Sequence, residues 1–125
     1  MRIHESAENY LETILALSQK KQFVRSIDVV NEMNFSKPSV SVAMKHLRED
    51  GRIVMDENGY ITLTDSGLEI ANNIYERHKL LSALLIKLGV EQEIAKEEAC
   101  RIEHDISQDT FEKIKKWLKD NQIIE

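Results

Sequence analysis

Three residue types that bind transition metals lie close together near residue 100. Cys100, Glu103 and His104 are separated by spacings that place all three on one face of a helix. A thiolate, a carboxylate and an imidazole are all ligands of transition metals. The spacing therefore makes these three residues candidates for a metal-binding cluster.

Three further polar residues are candidates to complete this cluster. His78 lies on the apolar face of a long predicted helix, and Asn9 and Glu12 share a face of the first predicted helix. Six polar groups from three helices would enclose one or two ions. Taken singly, His78 also fits a core position, Cys100 a small buried hydrophobic residue, and Glu103 a solvated helix face. Spacing alone leaves both interpretations open.

A second group of residues is suited to contacting DNA. Serine hydroxyls and basic side chains bind phosphates and base edges, whereas Pro38 and Val42 offer apolar contact, for example to a thymine methyl group. Lys20 and Arg25 are candidates for contacts to the phosphate backbone. The alternative is an ordinary solvated helix face. The candidate DNA-binding residues are Lys20, Arg25, Ser36, Lys37, Pro38, Ser39, Ser41, Val42, Lys45 and Arg48.

The predicted elements of the first half have the order of a winged helix. We predict a helix over 6–20, a lone strand over 23–25, a helix capped by Ser26, and a helix capped by Ser36. Two short helices joined by a short turn form a helix-turn-helix pattern. The β-prone runs at 53–55 and 60–63 flank Asn58-Gly59, which is a strong hairpin signal. Residues 1–64 are therefore predicted to form a winged helix-turn-helix domain.

The rest of the chain is predicted to be helical. Thr64 or Asp65 caps a long helix that reaches about residue 88, a second helix runs from 91 to about 106, and Ser107 caps a third. Apolar residues over 68–88 exceed what a surface helix requires, which suggests a dimer interface. The fold class is thus mainly α, with residues 65–125 as an all-helical dimerisation and metal-binding domain.

Composition excludes several classes of protein. Apolar residues make up 42% and charged residues 31%, as in globular proteins. No apolar run approaches the roughly 20 residues that span a bilayer, the N-terminus lacks the apolar stretch of a signal peptide, and the single Cys cannot form an internal disulfide. We therefore expect a cytoplasmic protein with a free thiol.

The net charge of −5 is unevenly distributed. Residues 1–64 carry 8 basic and 9 acidic residues, whereas residues 65–125 carry 9 and 13. The basic clusters of the first half remain available for phosphate contacts.

Four segments together resemble the diphtheria toxin repressor family of iron- and manganese-dependent regulators, in its short two-domain form. Residues 98–104 (EACRIEH) are similar to the metal-site helix and residues 7–14 (AENYLETI) to the first helix. Residues 35–41 (FSKPSVS) are similar to the recognition helix and residues 77–81 (RHKLL) to the long helix that bears a histidine. The match covers essentially the whole chain in order.

The resemblance implies a homodimeric repressor of iron- or manganese-uptake genes that binds an operator in double-stranded DNA, with a divalent metal as corepressor. It implies that metal binding ties the first helix to the later helices and sets the two recognition helices about 34 Å apart, one turn of DNA. The DNA contacts would centre on residues 36–42. The implied metal ligands are Asn9, Glu12, His78, Cys100, Glu103 and His104.

This sequence departs from the family pattern at several positions. Asn9 stands where manganese-type members have an acid and iron-type members a methionine. Ser82 and Lys96 replace a carboxylate and a histidine of the ancillary site of iron-type members, so we expect that site to be absent. Val42 replaces a polar residue and leaves the operator sequence unpredicted. The chain stops at Glu125, as the short manganese regulators do.

The expected metal is Fe(II) or Mn(II), with one or two ions per chain. Cys100 is a soft ligand and favours iron, whereas Glu12 and the short chain favour manganese. We incline to Fe(II).

Two other classes of protein compete with this interpretation. A metal-independent winged-helix regulator would keep the DNA-binding face and leave Cys100 inert. A small metallohydrolase would use Glu103 as a base, but no nucleophile motif or glycine-rich loop favours it, so we expect no enzymatic activity.

Overall fold

The structure is a computed structural model that describes residues 5–124. Residues 1–4, to which the expectation about a signal peptide refers, and Glu125 lie outside this range. The chain divides into two compact units between Asn72 and Asn73. The described elements are α1 (Glu5–Lys20), α2 (Ser26–Met33), α3 (Lys37–Glu49), β1 (Ile53–Met55), β2 (Ile61–Leu63), α4 (Asp65–Lys87), α5 (Gln92–Ile102) and α6 (Gln108–Asp120).

A helix-turn-helix built on α1, α2 and α3 forms most of the first unit. Asn34 ends α2 in the left-handed conformation with φ of 57°, which asparagine tolerates well. Ser36 then caps α3, because its Oγ accepts a hydrogen bond from the Ser39 N–H at 3.3 Å. The buried apolar side chains of these helices pack with those of the following strands to form the core of this unit. The core contains Leu11, Ile14, Val24, Val29, Val40, Met44, Leu47, Ile53 and Ile61.

The wing is a two-stranded antiparallel sheet in which Ile53 pairs with Leu63 and Met55 with Ile61. Gly59 has φ of 80° in the connecting turn, as the Asn-Gly signal predicts. The lone strand predicted over residues 23–25 is wrong: this segment has no strand assignment, and among the described residues its link to the sheet is one hydrogen bond, from the Ile61 N–H to the Val24 carbonyl oxygen at 2.7 Å.

The start of α4 is fastened to the turn that follows α3. Thr64 Oγ1 donates to the Gly51 carbonyl oxygen at 2.7 Å and accepts from the Gly67 N–H at 3.2 Å, which makes Thr64 the cap of α4. Gly67 is required for this approach, since a Cβ atom there would lie 1.9 Å from the Arg52 carbonyl oxygen.

The second unit contains the rest of α4 together with α5 and α6. Leu80, Phe111 and Leu118 form its core, and the partly buried residues packed on it are Leu84, Ile106, Ile114, Ile123 and Ile124. Ser107 caps α6 through a hydrogen bond from the Thr110 N–H at 3.1 Å, as predicted. None of the helices within residues 5–124 has the length and apolar character needed to cross a membrane.

Two predicted helix boundaries are wrong. The helix expected to reach about residue 106 ends at Ile102, and the turn that follows is held by the side chain of Arg77, which donates to the carbonyl oxygens of Glu103 and Ile106. Ser26 is the first residue of α2 rather than its cap; the cap position is Arg25, whose N–H donates to the Asp28 carboxylate at 2.8 Å.

Candidate metal centre and nucleic-acid interface

A buried cluster of one carboxylate and two imidazoles lies in the second unit. Glu103, in the turn after α5, is 0% exposed, and its Oε2 lies 3.0 Å from Nδ1 of His78 on α4. Its other oxygen, Oε1, lies 3.5 Å from Nε2 of His104, which is also buried. The structure therefore brings together three of the predicted ligands: His78, Glu103 and His104.

The surroundings of Glu103 fit a bound cation. Burying a carboxylate is costly unless it is paired and hydrogen-bonded, and Oε1 of Glu103 has no hydrogen-bond partner within residues 5–124. The groups beside it are imidazoles, whose nitrogen atoms are themselves metal ligands when neutral. An oxygen and two nitrogen donors around a buried negative charge form a donor set that suits a divalent transition metal.

Cys100 differs from these three residues in its exposure. It lies on α5 and is exposed to solvent, so it is not the small buried hydrophobic residue that the alternative interpretation required. His78 is partly buried and contacts Glu103, so it is not an ordinary core histidine either. The structure thus weakens two of the alternatives to a metal cluster.

The other two predicted ligands lie in the first unit. Asn9 and Glu12 are about one turn apart on α1, and both are partly buried. They share one helical face, as their spacing predicts.

Arg77 contacts the turn that carries the candidate ligands Glu103 and His104, and the sequence analysis did not single it out. Its guanidinium is buried, and Nη1 donates to the Glu103 carbonyl oxygen at 3.0 Å and to that of Ile106 at 2.7 Å. A signal was present, because Arg77 continues the buried stripe between Ile74 and Leu81. An arginine in that stripe must reach polar partners inside the protein.

The ten candidate DNA-binding residues are all exposed. On α3 they lie on the side away from Val40, Met44 and Leu47, and the exposed fraction of Val42 reaches 56%. An α-helix that presents small polar, basic and apolar side chains in this way can enter a major groove.

An aromatic platform beside the wing contains residues that the sequence analysis did not include in the site. The rings of Phe23 and Tyr60 stack with centroids 4.4 Å apart, and the Arg25 guanidinium lies 4.7 Å from the Tyr60 centroid. Arg25 Nη2 also donates to Tyr60 Oη at 3.2 Å. These contacts restrict Arg25, which remains exposed at the start of α2.

Asp28 supports the same region electrostatically. Its carboxylate accepts hydrogen bonds from Lys21 Nζ and from the Arg25 N–H. These two bonds, the one from Lys21 first, lower the pKa of Asp28 below its ordinary value.

Two family profiles match the chain almost from end to end. Residues 2–64 match the DNA-binding domain described as "Iron dependent repressor, N-terminal DNA binding domain". Residues 64–123 match "Iron dependent repressor, metal binding and dimerisation domain". A winged helix-turn-helix joined to a helical metal-binding domain defines a class of metal-dependent transcriptional regulators. The chain belongs to the iron-dependent repressor family.

Individual relatives agree with this assignment. The chain is 30% identical over 117 residues to an uncharacterised helix-turn-helix transcriptional regulator of Methanocaldococcus jannaschii, covering 92% of this chain and 94% of the relative. It is 32% identical over 108 residues to the transcriptional regulator MntR of Escherichia coli, covering 86% of this chain and 70% of MntR.

A solved structure gives the same result for the fold. The structure of the manganese regulator SloR superimposes with a TM-score of 0.81 at 28% identity, covering 90% of this chain and 53% of the SloR chain. The chain thus spans about half the length of that structure. These comparisons confirm the resemblance, the mainly α winged-helix fold and the function as a metal-dependent transcriptional repressor.

Proposed function

We propose that the chain is a homodimeric repressor that binds operator DNA when a divalent metal is bound, and that it acts in the cytoplasm on genes for iron or manganese uptake. The observation that carries this proposal is the buried Glu103 carboxylate, which lies between His78 and His104 and has one oxygen without a hydrogen bond within residues 5–124. A regulator without a metal, the competing hypothesis, gives no reason to bury this charge.

The proposed ligands come from both units. His78, Glu103 and His104 supply the donors that the structure groups together, and Cys100 adds a soft thiolate. Asn9 and Glu12 on α1 add oxygen donors, an assignment that rests on the family resemblance. A bound divalent cation would supply the positive charge that compensates Glu103.

Coupling of the metal to DNA follows from the position of α1 in the fold. α1 packs on α2 and α3, so donors on α1 belong to the body that carries the recognition helix. If Glu12 shares a ligand shell with residues 78–104, metal binding favours the arrangements of the two units that satisfy both sets of donors. A coupling of about 1–3 kcal/mol is typical of such a shift in population.

The proposed DNA interface is α3 with its flanking residues. Ser36, Ser39 and Ser41 provide hydroxyl groups, and the basic residues Lys37, Lys45 and Arg48 provide positive charge for phosphates. Pro38 and Val42 provide apolar contact, and Lys20 and Arg25 extend the surface toward the phosphate backbone.

A homodimer is supported by exposed apolar residues in the domain that the family profile describes as dimerising. Ile86 is 44% exposed and Leu88 is 68% exposed at the end of α4. Exposed apolar side chains of this size are typical of contacts between subunits.

The physiological metal is proposed to be Fe(II), with Mn(II) as the second candidate. The soft thiolate of Cys100 favours iron. SloR is described as a manganese regulator, whereas the family profiles are described as iron-dependent. The metals therefore have to be compared directly.

The test is an anaerobic calorimetric titration of the metal-free protein with Fe(II) and with Mn(II). We expect saturable binding of one or two ions per chain that is lost in Glu103→Gln. Glu98→Gln removes an exposed carboxylate from α5, the helix that precedes Glu103, and is the matched control, which should bind like the wild type. Absence of saturable binding for both metals would contradict the proposal.

The link to DNA is tested without a known operator. Duplexes that bind the full chain are selected from a random-sequence library in Mn(II), and their affinity is measured again after chelation. We expect a large loss of affinity in chelator and no response to metal in Glu103→Gln. Affinity that chelation leaves unchanged would support the metal-independent regulator instead.

A further inference from the structure

Arg77 ties three parts of the second unit together. It precedes His78 on α4, and Nη1 donates to the carbonyl oxygens of Glu103 and Ile106, at the two ends of the turn after α5. Nη2 donates to Oε1 of Gln108, in the first turn of α6, at 3.0 Å. A planar guanidinium can make these bonds at once because its N–H groups point in fixed directions.

The guanidinium also packs against the ring of Phe111. Its central carbon lies 5.4 Å from the centroid of the Phe111 ring, and Phe111 is fully buried in the core of the second unit. A cation over an aromatic face is attracted to it, most strongly when both are desolvated. Arg77 therefore connects the hydrophobic core to the turn that carries Glu103 and His104.

Arg77 donates to two backbone carbonyl oxygens and to the Gln108 side chain, and not to the Glu103 carboxylate. Oε1 of Glu103 is left without a hydrogen bond within the described residues. A cationic side chain in the core thus fixes the backbone of the turn and leaves the side-chain oxygen available for a ligand.

We propose that Arg77 is a positioning residue that sets the metal affinity of the second unit by fixing the turn from Glu103 to Ile106. The inference rests on the proposed function, because it assumes that Glu103 and His104 bind the metal. Groups that orient metal ligands without touching the metal commonly change affinity about 10–100-fold when they are removed.

The test measures Mn(II) affinity of the full chain by calorimetry for the wild type, Arg77→Lys and Arg77→Met. We expect both variants to bind Mn(II) about 10–100-fold more weakly, because a lysine keeps the charge but has only one nitrogen atom and cannot span the turn. Gln108→Ala removes one partner of the guanidinium and should weaken binding less.

Lys115→Ala is the matched control. Lys115 on α6 contacts Glu76 on α4 at 3.2 Å, so this variant removes another polar link between the same two helices without touching the turn. We expect its Mn(II) affinity to equal that of the wild type.

A second readout uses the metal-free protein. The N–H of Glu103 donates to the Ala99 carbonyl oxygen and that of Asp105 to the Ile102 carbonyl oxygen. We expect hydrogen exchange at both amides to be faster in Arg77→Lys and in Gln108→Ala than in the wild type and Lys115→Ala. If Arg77→Met does not fold, Arg77→Lys and Gln108→Ala still test whether Arg77 fixes the turn.

Several outcomes would overturn the inference. Full affinity in Arg77→Lys, or tighter binding in Arg77→Met, would show that Arg77 acts through its charge, since a nearby positive charge repels a cation. Unchanged exchange at Glu103 and Asp105 would show that Arg77 does not fix the turn. If the wild type does not bind Mn(II) or Fe(II), the proposed function fails, and the exchange measurement still tests the role of Arg77 in the turn.

Discussion

In the first unit the candidate DNA-binding residues are all exposed, whereas in the second unit Glu103 and His104 are buried. Ser36 Oγ accepts a hydrogen bond from the Ser39 N–H at the start of α3, while Glu103 has an oxygen with no hydrogen bond within the described residues. We therefore expect substitutions of the candidate DNA-binding residues to leave folding intact, and we expect the proposed metal site to link metal binding to the stability of the second unit. The predictions below test this difference, from the largest expected effect to the smallest.

Phe111→Ala should have the largest effect. Phe111 is fully buried and supports the Arg77 guanidinium, and deleting a buried phenyl ring costs about 3–5 kcal/mol. We expect this loss in the free energy of unfolding of the second unit, measured by urea denaturation, together with weaker Mn(II) binding. Trp117→Ala, at a ring that is 47% exposed on the same helix, should change the stability far less. Equal losses in the two variants would contradict the described core.

Metal should stabilise the second unit to an extent that depends on Glu103. At a free Mn(II) concentration of 100 times Kd, binding raises the free energy of unfolding by about 2.7 kcal/mol. We expect this increase in the wild type and in the control Glu98→Gln, and none in Glu103→Gln. Calorimetric melting with and without chelator measures it, and a metal-induced rise in Glu103→Gln would place the site elsewhere.

Gly67→Ala should destabilise the first unit by about 1–3 kcal/mol, the usual cost of overpacking. The added Cβ would lie 1.9 Å from the Arg52 carbonyl oxygen, so the start of α4 or the wing must move. Gly59→Ala meets no atom within 4 Å and has only the strain of φ 80°, which makes it the control. A larger decrease in melting temperature for Gly59→Ala than for Gly67→Ala would contradict the close approach of Gly67 to the Arg52 carbonyl oxygen.

Asp28→Asn should have the smallest effect, at most about 1 kcal/mol for a partly exposed ion pair. Because the pKa of Asp28 is lowered in the folded protein, its contribution is fully present above the ordinary value of 3.8 and is lost as pH falls through the lower folded value. The difference in stability between the wild type and Asp28→Asn should therefore shrink below pH 3.8. A difference that grows on acidification would have the wrong sign.

Local chemistry made most of the fold predictable. Ser36 and Ser107 cap helices, Asn34 ends one, and Gly59 occupies the hairpin turn, each for reasons that lie within a few residues in sequence. The winged helix-turn-helix followed from the order of such signals and is confirmed.

The site was harder to predict because its geometry depends on distant residues. The turn after α5 is held by the side chain of Arg77, which comes from another helix. The spacing of Cys100, Glu103 and His104 identified potential ligands, but it did not reveal that Cys100 is exposed while the other two are buried. Burial of a side chain is a property of packing, which helical periodicity only partly specifies.

The exposure of the candidate DNA-binding residues on α3 also has a consequence for how substitutions there are tolerated. Val42 and Ser41 contact solvent rather than the core, so substitutions there pass without the folding penalty that usually filters mutations. Substitutions at Glu103 and His104, which are buried, carry that penalty. If α3 contacts the operator as proposed, a few surface substitutions would redirect the protein to new DNA sequences without a loss of folding, and the same freedom would be available to an engineer.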